Sequence, residues 1–262
     1  MRRWYLARAV QPSLPRPPVK PKLLFLCQTL PFPPDGGVAI RSYNILRLLA
    51  REYDVTALFF FRRAVRAASQ RNLDALRPLG GAAMFPIEQE FSRPRLIWDH
   101  LRSVLRGRVY TYYAHESAAF QRALRTVLGQ QQFDIAHVDS LDLSYFLDDL
   151  NAIPVVVTHH NVESALLARR AKIEDNPAFA GYLRLQSALM RREEQRWCDR
   201  VALNVLVSED DSSALATLVP GARTAVVPNG VDTETFVPVD MPREGIVVVG
   251  GMTSFPNRDA LE

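Results

Sequence analysis

The residues best suited to chemistry lie in four short polar groups, each directly after an apolar run of strand length. Glycines, carboxylates, imidazoles and hydroxyls recur in these groups, which are Gly36-Gly37, Asp139-Ser140, His159-His160-Asn161 and Ser208-Glu209. Because the carboxyl ends of parallel strands meet at one edge of a sheet, we expect the groups to converge. Together they predict a cleft that binds a sugar or a phosphate.

The glycine pair Gly36-Gly37 lies between the first apolar run and a helical pattern. Without a Cβ, the backbone N–H groups can approach a phosphate closely, and the positive end of the helix dipole adds attraction. An equally weighted alternative is a turn that needs positive φ at glycine. The loop lacks the G-x-G-x-x-G spacing of a dinucleotide site and the Lys-Ser/Thr of a P-loop, which argues against both classes.

A pair of histidines, His159-His160, follows the strongest buried-strand pattern. An imidazole at the end of a central strand suits a base or a hydroxyl ligand, because its pKa is readily set near neutrality. Successive residues of an extended segment point to opposite sides, so at most one of the two is expected in the cleft. No third ligand stands at metal-binding spacing, which disfavours a metal site. Glu163 either orients the histidine or caps the next helix, and capping is the commoner role.

Two of the polar groups also have a purely structural interpretation. Asp139 either contacts substrate or caps the following helix, with the cap favoured. Ser208, with Asp211 three residues later, resembles a capping box in which Asp replaces Glu or Gln. Both groups remain candidates for the cleft because a predicted strand precedes each of them.

Buried strand patterns alternate with helical patterns, and this alternation predicts a doubly wound parallel α/β sheet. Strands are expected at Lys22–Cys27, Asp54–Phe61, Ala82–Pro86, Phe133–Val138, Pro154–Thr158, Val201–Val207 and Thr224–Val227. Helices are expected at Ala39–Glu52, Arg66–Leu76, Arg95–Leu105, Ser117–Leu128, Leu141–Leu150, Tyr182–Cys198 and Glu209–Leu218. The segment Pro228-Asn229-Gly230 is expected to supply the positive φ of a tight turn.

The charge of the chain is unevenly placed. The 262 residues are 48% apolar and carry a formal charge of +4, yet ten arginines fall between Arg62 and Arg108, with Trp98 and Tyr110 nearby. Such a segment suits binding to an anionic membrane surface or to an anionic ligand. An equally weighted alternative is a set of solvated arginines on helix faces. Nucleic-acid binding is disfavoured because no recognisable motif accompanies the basic residues.

The cysteines and the hydropathy of the chain indicate its cellular compartment. Cys27 and Cys198 stand in apolar patterns without metal-binding spacing, as expected of buried thiols in a reducing compartment. Neither a signal-peptide pattern nor an apolar run of membrane-spanning length occurs. A cytoplasmic location is therefore expected, with possible contact to a membrane from the inner side.

The order and spacing of several short motifs resemble those of glycosyltransferases of family 4. The matching residues begin at the strand that includes Leu23 and continue through the loop Pro33–Arg41, Thr158-His159-His160-Asn161, Val207-Ser208-Glu209 with Asp211, Pro228–Asp232 with Phe236, and Val249–Met252 with Pro256-Asn257. Members of that family are retaining, nucleotide-sugar-dependent enzymes with two facing Rossmann-like domains, the GT-B arrangement.

The resemblance implies a domain organisation. A basic, proline-rich tail at 1–21 would precede a Rossmann-like acceptor-binding domain at 22–240, and residues 241–262 would begin a nucleotide-sugar-binding domain. Most of that second domain is absent from the sequence, so the chain is expected to be truncated and inactive by itself. Neither a metal nor another cofactor is implied.

The resemblance also implies roles for the polar groups. His160 matches the cleft histidine that contacts the transferred sugar. The phosphates and the sugar of the donor would lie close to four glycines, Gly36, Gly37, Gly250 and Gly251. The other expected acceptor or cleft residues are Asp35, Arg41, Asp139, His159, Asn161, Ser208 and Glu209. The expected function is sugar transfer to a glycan or lipid-linked acceptor in cell-surface polysaccharide or glycolipid synthesis.

Two alternatives belong to other classes. The first is a non-catalytic Rossmann-like module that binds a glycan or a partner subunit. An apolar strand pattern at Ile246–Val249 argues against it, since a single domain rarely keeps a strand with no sheet to join. The second is a nucleotide-sugar epimerase or dehydrogenase, which the missing dinucleotide fingerprint disfavours.

Overall fold

A computed structural model describes residues 20–238 and Gly245. The predicted tail at 1–21 and the predicted start of a second domain at 241–262 therefore lie outside the described residues, apart from residues 20 and 21 and Gly245. Gly250 and Gly251 are among the residues outside.

Seven strands form one sheet: β1 (Lys22–Cys27), β2 (Asp54–Phe61), β3 (Gly81–Pro86), β4 (Ile135–Asp139), β5 (Val155–Thr158), β6 (Leu203–Leu206) and β7 (Thr224–Val226). All pairs are parallel, and the order across the sheet is β3-β2-β1-β4-β5-β6-β7. The predicted class, a doubly wound parallel α/β sheet, is confirmed.

Eight α-helices connect the strands: α1 (Gly37–Glu52), α2 (Ser69–Leu76), α3 (Arg93–Arg106), α4 (Tyr110–Ala114), α5 (Ala118–Gln130), α6 (Glu163–Ile173), α7 (Pro177–Trp197) and α8 (Glu209–Leu218). Short 3₁₀ helices lie at Arg63–Val65, Arg77–Leu79, Glu88–Phe91 and Leu141–Leu150. The helices cover both faces of the sheet, as a parallel sheet requires.

The continuous apolar run of β1 is explained by burial on both faces. Leu24 and Leu26 pack into one core with Phe120 of α5, while Leu23 and Phe25 pack into a second core with α1 and α2. Successive side chains of a strand alternate between the two faces, so a strand covered on both sides needs apolar residues at nearly every position.

The strand order reverses between β1 and β4. From β1 the chain winds outward through β2 to β3, then returns to β4 on the other side of β1 and continues outward to β7. The crossovers of the two halves therefore lie on opposite faces, and a crevice opens beyond the carboxyl ends of β1 and β4. Cys27 and Asp139 are register partners at the ends of these two strands.

The backbone between β7 and residue 238 differs from the expected turn. Within the described part of the chain, positive φ occurs only at Gly80, Gly107, Ser140 and Gly245. The prediction of positive φ at Asn229-Gly230 is therefore wrong. Glycine is required instead at Gly80, where φ is 150° and an added Cβ would lie 2.2 Å from the carbonyl oxygen of Val55.

None of the helices in residues 20–238 is long and apolar enough to cross a membrane. Both cysteines are buried and unpaired, as predicted.

Candidate active site

Asp139, the last residue of β4, lies at the centre of a buried polar cluster. Its side chain is fully buried, and its Oδ2 accepts hydrogen bonds from Ser42 Oγ and from Cys27 Sγ, the latter at 3.1 Å. Its Oδ1 lies 3.3 Å from Nε2 of His160. We call Cys27, Ser42, Asp139 and His160 the Asp139 cluster. One carboxylate thus joins α1 and the ends of β1, β4 and β5.

The expected helix cap at Asp139 is wrong, because the next residue makes it. Ser140 Oγ accepts a hydrogen bond from the backbone N–H of Asp142 at 3.1 Å. Ser140 also adopts φ 119°, the one positive φ at a non-glycine residue in the described chain. Strained backbone of this kind costs about 1–3 kcal/mol and is concentrated at functional sites.

Asp139 is ionised at neutral pH although it is fully buried. Burial pushes its pKa up, but the neighbouring His160 imidazole, whose Nε2 lies 3.3 Å from Oδ1, holds the pKa below its ordinary value. The neighbouring His137 is neutral near pH 7, because burial lowers its pKa to about 4, and its Nε2 lies 3.1 Å from Thr158 Oγ1. His160 is therefore the imidazole that pairs with the Asp139 carboxylate.

The two histidines after β5 occupy different environments. The His160 side chain keeps 8% of its surface exposed, with Nε2 towards Asp139. An ionised carboxylate pairs with a nitrogen that bears a proton, so this contact favours the Nε2–H tautomer and leaves Nδ1 for a ligand. His159 is buried, with Nε2 3.0 Å from Asn204 Oδ1, and burial lowers its pKa to about 4. The structure corrects the expected cleft position of His159, whose side chain belongs to the core.

The Gly36-Gly37 pair begins α1 at the crevice. Gly36 is the residue before the helix, with φ −138° and ψ 156°, and neither glycine has positive φ. The alternative of a turn that needs positive φ is therefore wrong. An added Cβ at either glycine would meet no atom within 4 Å, and both residues are exposed. Gly36 is the N-cap residue of α1, a position that favours glycine, and the described structure shows no steric reason for glycine at Gly37.

Arg41 holds the segment after β7 against α1. It is 7% exposed, and its guanidinium donates to the Val227 carbonyl at 2.7 Å and to Asn229 Oδ1 at 3.0 Å. One turn and a half later, Arg47 pairs with Asp232 at 3.4 Å. The structure therefore gives Arg41 a clamping role, in which both outer nitrogens already have protein partners.

Asn161 and Glu163 continue the loop after His160. Asn161 Nδ2 donates to Glu163 Oε1 at 3.3 Å. Glu163 is the first residue of α6, and the residue before it makes no side-chain cap. Burial, reinforced by the charge of Asp142, raises the pKa of Glu163 to about 7. A carboxyl group that is partly protonated at neutral pH therefore lies two residues beyond Asn161, at the end of the loop that carries His160.

We expect Glu163→Gln to stabilise the protein at alkaline pH. The folded-state pKa of Glu163 is raised from 4.5 to about 7, so between these values the unfolded chain loses a proton that the folded chain keeps, and stability falls as pH rises. Allowing for partial solvent contact, removal of the charge should raise the free energy of unfolding by about 1–2 kcal/mol near pH 8 and little near pH 5. Urea unfolding at the two pH values measures this.

Glu209→Gln is the matched control, because Glu209 is also the first residue of a helix but is exposed and makes no side-chain contact in the described residues. An equal gain in both variants at about pH 8 would contradict the raised pKa at Glu163.

The remaining predicted residues stand apart from the Asp139 cluster. Ser208 caps α8 as predicted, since its Oγ accepts from the backbone N–H of Asp211 at 3.1 Å and donates to the Asp211 carboxylate at 2.8 Å. Glu209 and Asp35 are exposed, and neither side chain has a hydrogen-bond partner in residues 20–238. Among those residues, no three His, Cys, Asp or Glu side chains lie close enough together to hold a metal.

A cavity of about 550 Å³ lies beside the loops that follow β1, β2 and β3. Its walls include side chains that the sequence alone did not single out, notably Gln89, Thr111 and His115. Ser42 of the Asp139 cluster was also missed. A polar residue at a fully buried position of α1 is the only signal it offered, and that signal appears only when the inward face of the helix is known.

A family model described as Glycosyltransferase Family 4 matches residues 35–235, more than half of the chain. The chain belongs to Glycosyltransferase Family 4. The matched span contains the Gly36-Gly37 loop and three members of the Asp139 cluster, Ser42, Asp139 and His160. The family resemblance drawn from the sequence motifs is thereby confirmed. No curated protein matches the chain.

Solved structures with a related arrangement include plant enzymes. UGT2 from Phytolacca americana, complexed with UDP-2fluoro-glucose and pterostilbene, has a TM-score of 0.48 at 12% identity, and the match covers 80% of this family 4 chain and 54% of that one. UGT89C1 from Arabidopsis thaliana, complexed with UDP, has a TM-score of 0.44 at 16% identity, with coverage of 82% and 50%. The chain thus spans about half the length of these structures, and similarity at this level carries no information on its chemistry.

Proposed function

We propose that this chain is the acceptor-binding half of an enzyme that transfers a sugar, with retention, from a nucleotide-sugar donor to a glycan or lipid-linked acceptor. The proposed setting is synthesis of cell-surface polysaccharide or glycolipid. One observation carries the proposal: in a family 4 chain, His160 pairs with the buried Asp139 carboxylate at the crevice where the strand order reverses. Ligands of open α/β sheets bind in that crevice.

His160 would contact the transferred sugar through Nδ1. The Asp139 carboxylate holds the proton on Nε2, so Nδ1 presents a lone pair that can accept a hydrogen bond from a sugar hydroxyl. Asp139 is itself held by Ser42 and Cys27, so the ring has a fixed orientation before a ligand arrives. A ring oriented in advance loses less entropy on binding, which favours contact with the transition state.

The start of α1 would stabilise the leaving group. As the glycosidic bond breaks, negative charge develops on the nucleoside diphosphate. The unpaired N–H groups of the first turn, together with the helix dipole, attract such charge. Gly36 and Gly37 leave these groups open to close approach, since neither carries a Cβ and nothing lies within 4 Å of where one would be.

Release of nucleoside diphosphate tests the proposal. The intact protein is incubated with UDP-, GDP- and ADP-sugars, with and without membrane or polysaccharide extracts. Release of nucleoside diphosphate that depends on the extract supports a transferase, and proton NMR of the product then reports the anomeric configuration. Binding of a glycan without release from any donor would favour the non-catalytic module.

The polarity of α3 is inverted relative to an ordinary surface helix. Asp99 and Ser103 are fully buried, whereas the apolar side chains of the helix lie outside. We define the apolar face of α3 as its large exposed residues, which are Ile97, Trp98, Leu101, Val104 and Leu105. Their exposed fractions run from 46% to 70%. Contiguous exposed apolar residues of this kind mark an interaction site.

A network of charges anchors the inner side of α3. Arg95 donates to both carboxylate oxygens of Asp99 at 2.9 Å, and its Nη2 donates to the carbonyl of Glu116 at 3.0 Å. Arg102 pairs with the Glu116 carboxylate. Gln186 of α7 donates to Ser103 Oγ at 2.8 Å. These contacts fix the rotation of the helix, so the outward direction of the apolar face is specified by the sequence.

This arrangement supports the further proposal that the protein contacts an anionic membrane surface at the inner face of the plasma membrane. The apolar face of α3 would enter the boundary between headgroups and acyl chains, and the exposed Arg93 and Arg106 at the two ends of the helix would meet anionic lipid. A peripheral position of this kind would bring a lipid-linked acceptor to the crevice.

We expect Ile97→Ser with Leu105→Ser to weaken binding to vesicles that contain anionic lipid by about tenfold or more, because two side chains about 70% exposed lose their apolar surface. Co-sedimentation measures the change. Ile173→Ser is the control, since Ile173 is 54% exposed at the end of α6. Binding that is unaffected by the double substitution, or that shows no dependence on anionic lipid, would remove the membrane proposal.

A further inference from the structure

The cavity beside α3 and α4 has a wall rich in arginine. Its 550 Å³ are bounded by residues that follow β2 and β3 and by the first turns of α3 and α4. A cavity of this size lies within the range of small-molecule sites. The residues that carry the argument are Arg62, Arg63, Arg93, Phe91, Leu96 and Tyr110.

Two of the three arginines have guanidinium groups without a carboxylate partner. Glu90 pairs with Arg62, at 3.7 Å between Nε and Oε1, and its other oxygen accepts from the backbone N–H of Arg63 at 2.8 Å. Within residues 20–238, no carboxylate lies within 4.0 Å of the Arg63 or Arg93 guanidinium. His115, also in the wall, adds no charge near neutral pH because burial lowers its pKa. The cavity wall therefore holds three guanidinium groups against two carboxylates, Glu90 and Asp142, and the guanidinium groups of Arg63 and Arg93 have no ion-pair partner in the described residues.

The same cavity has polar groups without partners and an apolar edge. Gln89 Oε1 and Thr111 Oγ1 are buried and make no hydrogen bond in the described part of the chain. Leu96 lines the cavity and is 37% exposed, next along α3 to the apolar face that begins at Ile97. An apolar chain that lay on the apolar face of α3 could thus enter the cavity past Leu96.

The cavity also adjoins the loops that follow β1 and β4. Gln28, the residue after Cys27, and Asp142, three residues after Asp139, both lie in its wall. A ligand bound at the arginines therefore lies next to the crevice of the Asp139 cluster.

We propose that this cavity binds the phosphate group of an amphipathic acceptor, with Arg63 and Arg93 on the phosphate and Tyr110 and Phe91 against the adjoining apolar or sugar part. The inference rests on the proposed transferase function, which it narrows to an acceptor that carries a phosphate beside the hydroxyl to be glycosylated. Arginine forms paired, charge-assisted hydrogen bonds with phosphate oxygens, which a neutral acceptor would leave unmade.

Calorimetric titration of the whole protein with four probes tests this proposal. The probes are farnesyl phosphate, farnesol, glucose 1-phosphate and glucose, which separate the phosphate from its carrier. We expect the phosphorylated member of at least one pair to bind about tenfold or more tightly than its neutral counterpart. Tighter binding of farnesyl phosphate identifies a lipid-borne phosphate, and tighter binding of glucose 1-phosphate identifies a sugar phosphate.

Substitutions test whether the preference for phosphorylated probes arises in the cavity. Arg63→Gln with Arg93→Gln should abolish the preference for phosphate without changing the melting temperature, because both side chains are exposed and unpaired in the described chain. Arg71→Gln, an exposed arginine of α2 outside the cavity, should keep it. Gly37→Val should also keep it, which separates this site from the expected donor loop.

Equal affinity for charged and neutral probes, or a phosphate preference that survives in Arg63→Gln with Arg93→Gln, would overturn the proposal. The two proposals fail separately. A phosphate preference that depends on the arginines, in a protein that releases no nucleoside diphosphate, would remove the transferase function and leave the anion site. Extract-dependent release of nucleoside diphosphate without any phosphate preference would remove the anion site and leave the transferase function.

Discussion

Replacing His160 with alanine is expected to lower the turnover number of the intact enzyme by about a hundredfold or more. The substitution removes the group that would contact the transferred sugar, and it leaves the Asp139 carboxylate without its imidazole partner at 3.3 Å. Because a buried carboxylate that loses its partner also destabilises the fold, the melting temperature should fall as well, and turnover is therefore compared per folded protein. Steady-state release of nucleoside diphosphate measures the effect.

His159→Gln is the matched control for that prediction. His159 is the adjacent histidine but lies in the core, where its Nε2 is 3.0 Å from Asn204 Oδ1. We expect this variant to lower the melting temperature and to leave the turnover of the folded protein near the wild-type value. Turnover of folded His160→Ala within a few fold of wild type would remove His160 from the site.

The second large effect is expected from Gly37→Val, which should raise the KM for the nucleotide-sugar donor by about tenfold or more. A branched side chain at the start of α1 would occupy the space through which a diphosphate reaches the backbone N–H groups. The fold should tolerate it, because an added Cβ at Gly37 meets no atom within 4 Å. The KM for the acceptor should change little. Initial rates at varied donor and acceptor concentrations separate the two constants.

Gly181→Val supplies the comparison, since Gly181 also lies in a helix and has open space around its Cβ position. It is exposed and belongs to none of the polar groups that follow the strands, so both constants should stay unchanged. A donor KM that is the same in Gly37→Val and in wild type would contradict the donor role of the loop.

Much of the sheet could be predicted from the sequence because burial on both faces leaves a plain pattern. The expected bounds of β1, β2 and α8 agree with the structure at both ends. In contrast, α6 was not predicted, and α7 begins at Pro177 instead of Tyr182. Asn176 marks that start, because its side chain accepts from the backbone N–H groups of Ala178 and Phe179.

Helical spacing predicted α3 but could not give its orientation. An ordinary amphipathic helix turns its apolar side inward. Here the partners of the polar side lie elsewhere in the chain: Arg95 and Arg102 meet Glu116, and Ser103 meets Gln186. Such contacts join residues up to 83 positions apart, and a local pattern carries no information about them.

The candidate site was predictable in its location and less so in its detail. Parallel strands bring their carboxyl ends to one edge of the sheet. The sequence therefore predicts that Asp139 and His160, which both follow strands, lie near each other. The cap expected at Asp139 followed from local preference. It was overridden by contacts with Cys27, 112 residues earlier, and with Ser42, 97 residues earlier. The backbone dihedrals of Gly36 and Gly37 likewise had to be observed.

Hydrogen–deuterium exchange of the intact protein, with and without a nucleotide sugar that it binds, most directly tests the claim that Gly36-Gly37 and His160 face the donor. We predict slower exchange in the peptides that contain residues 35–41 and 159–163 when the donor is present. The peptide that contains α2, which packs against β3 and contributes none of the predicted site residues, should exchange at the same rate in both states. Unchanged exchange at 35–41 and 159–163 with saturating donor would contradict the account, since the donor would then bind elsewhere.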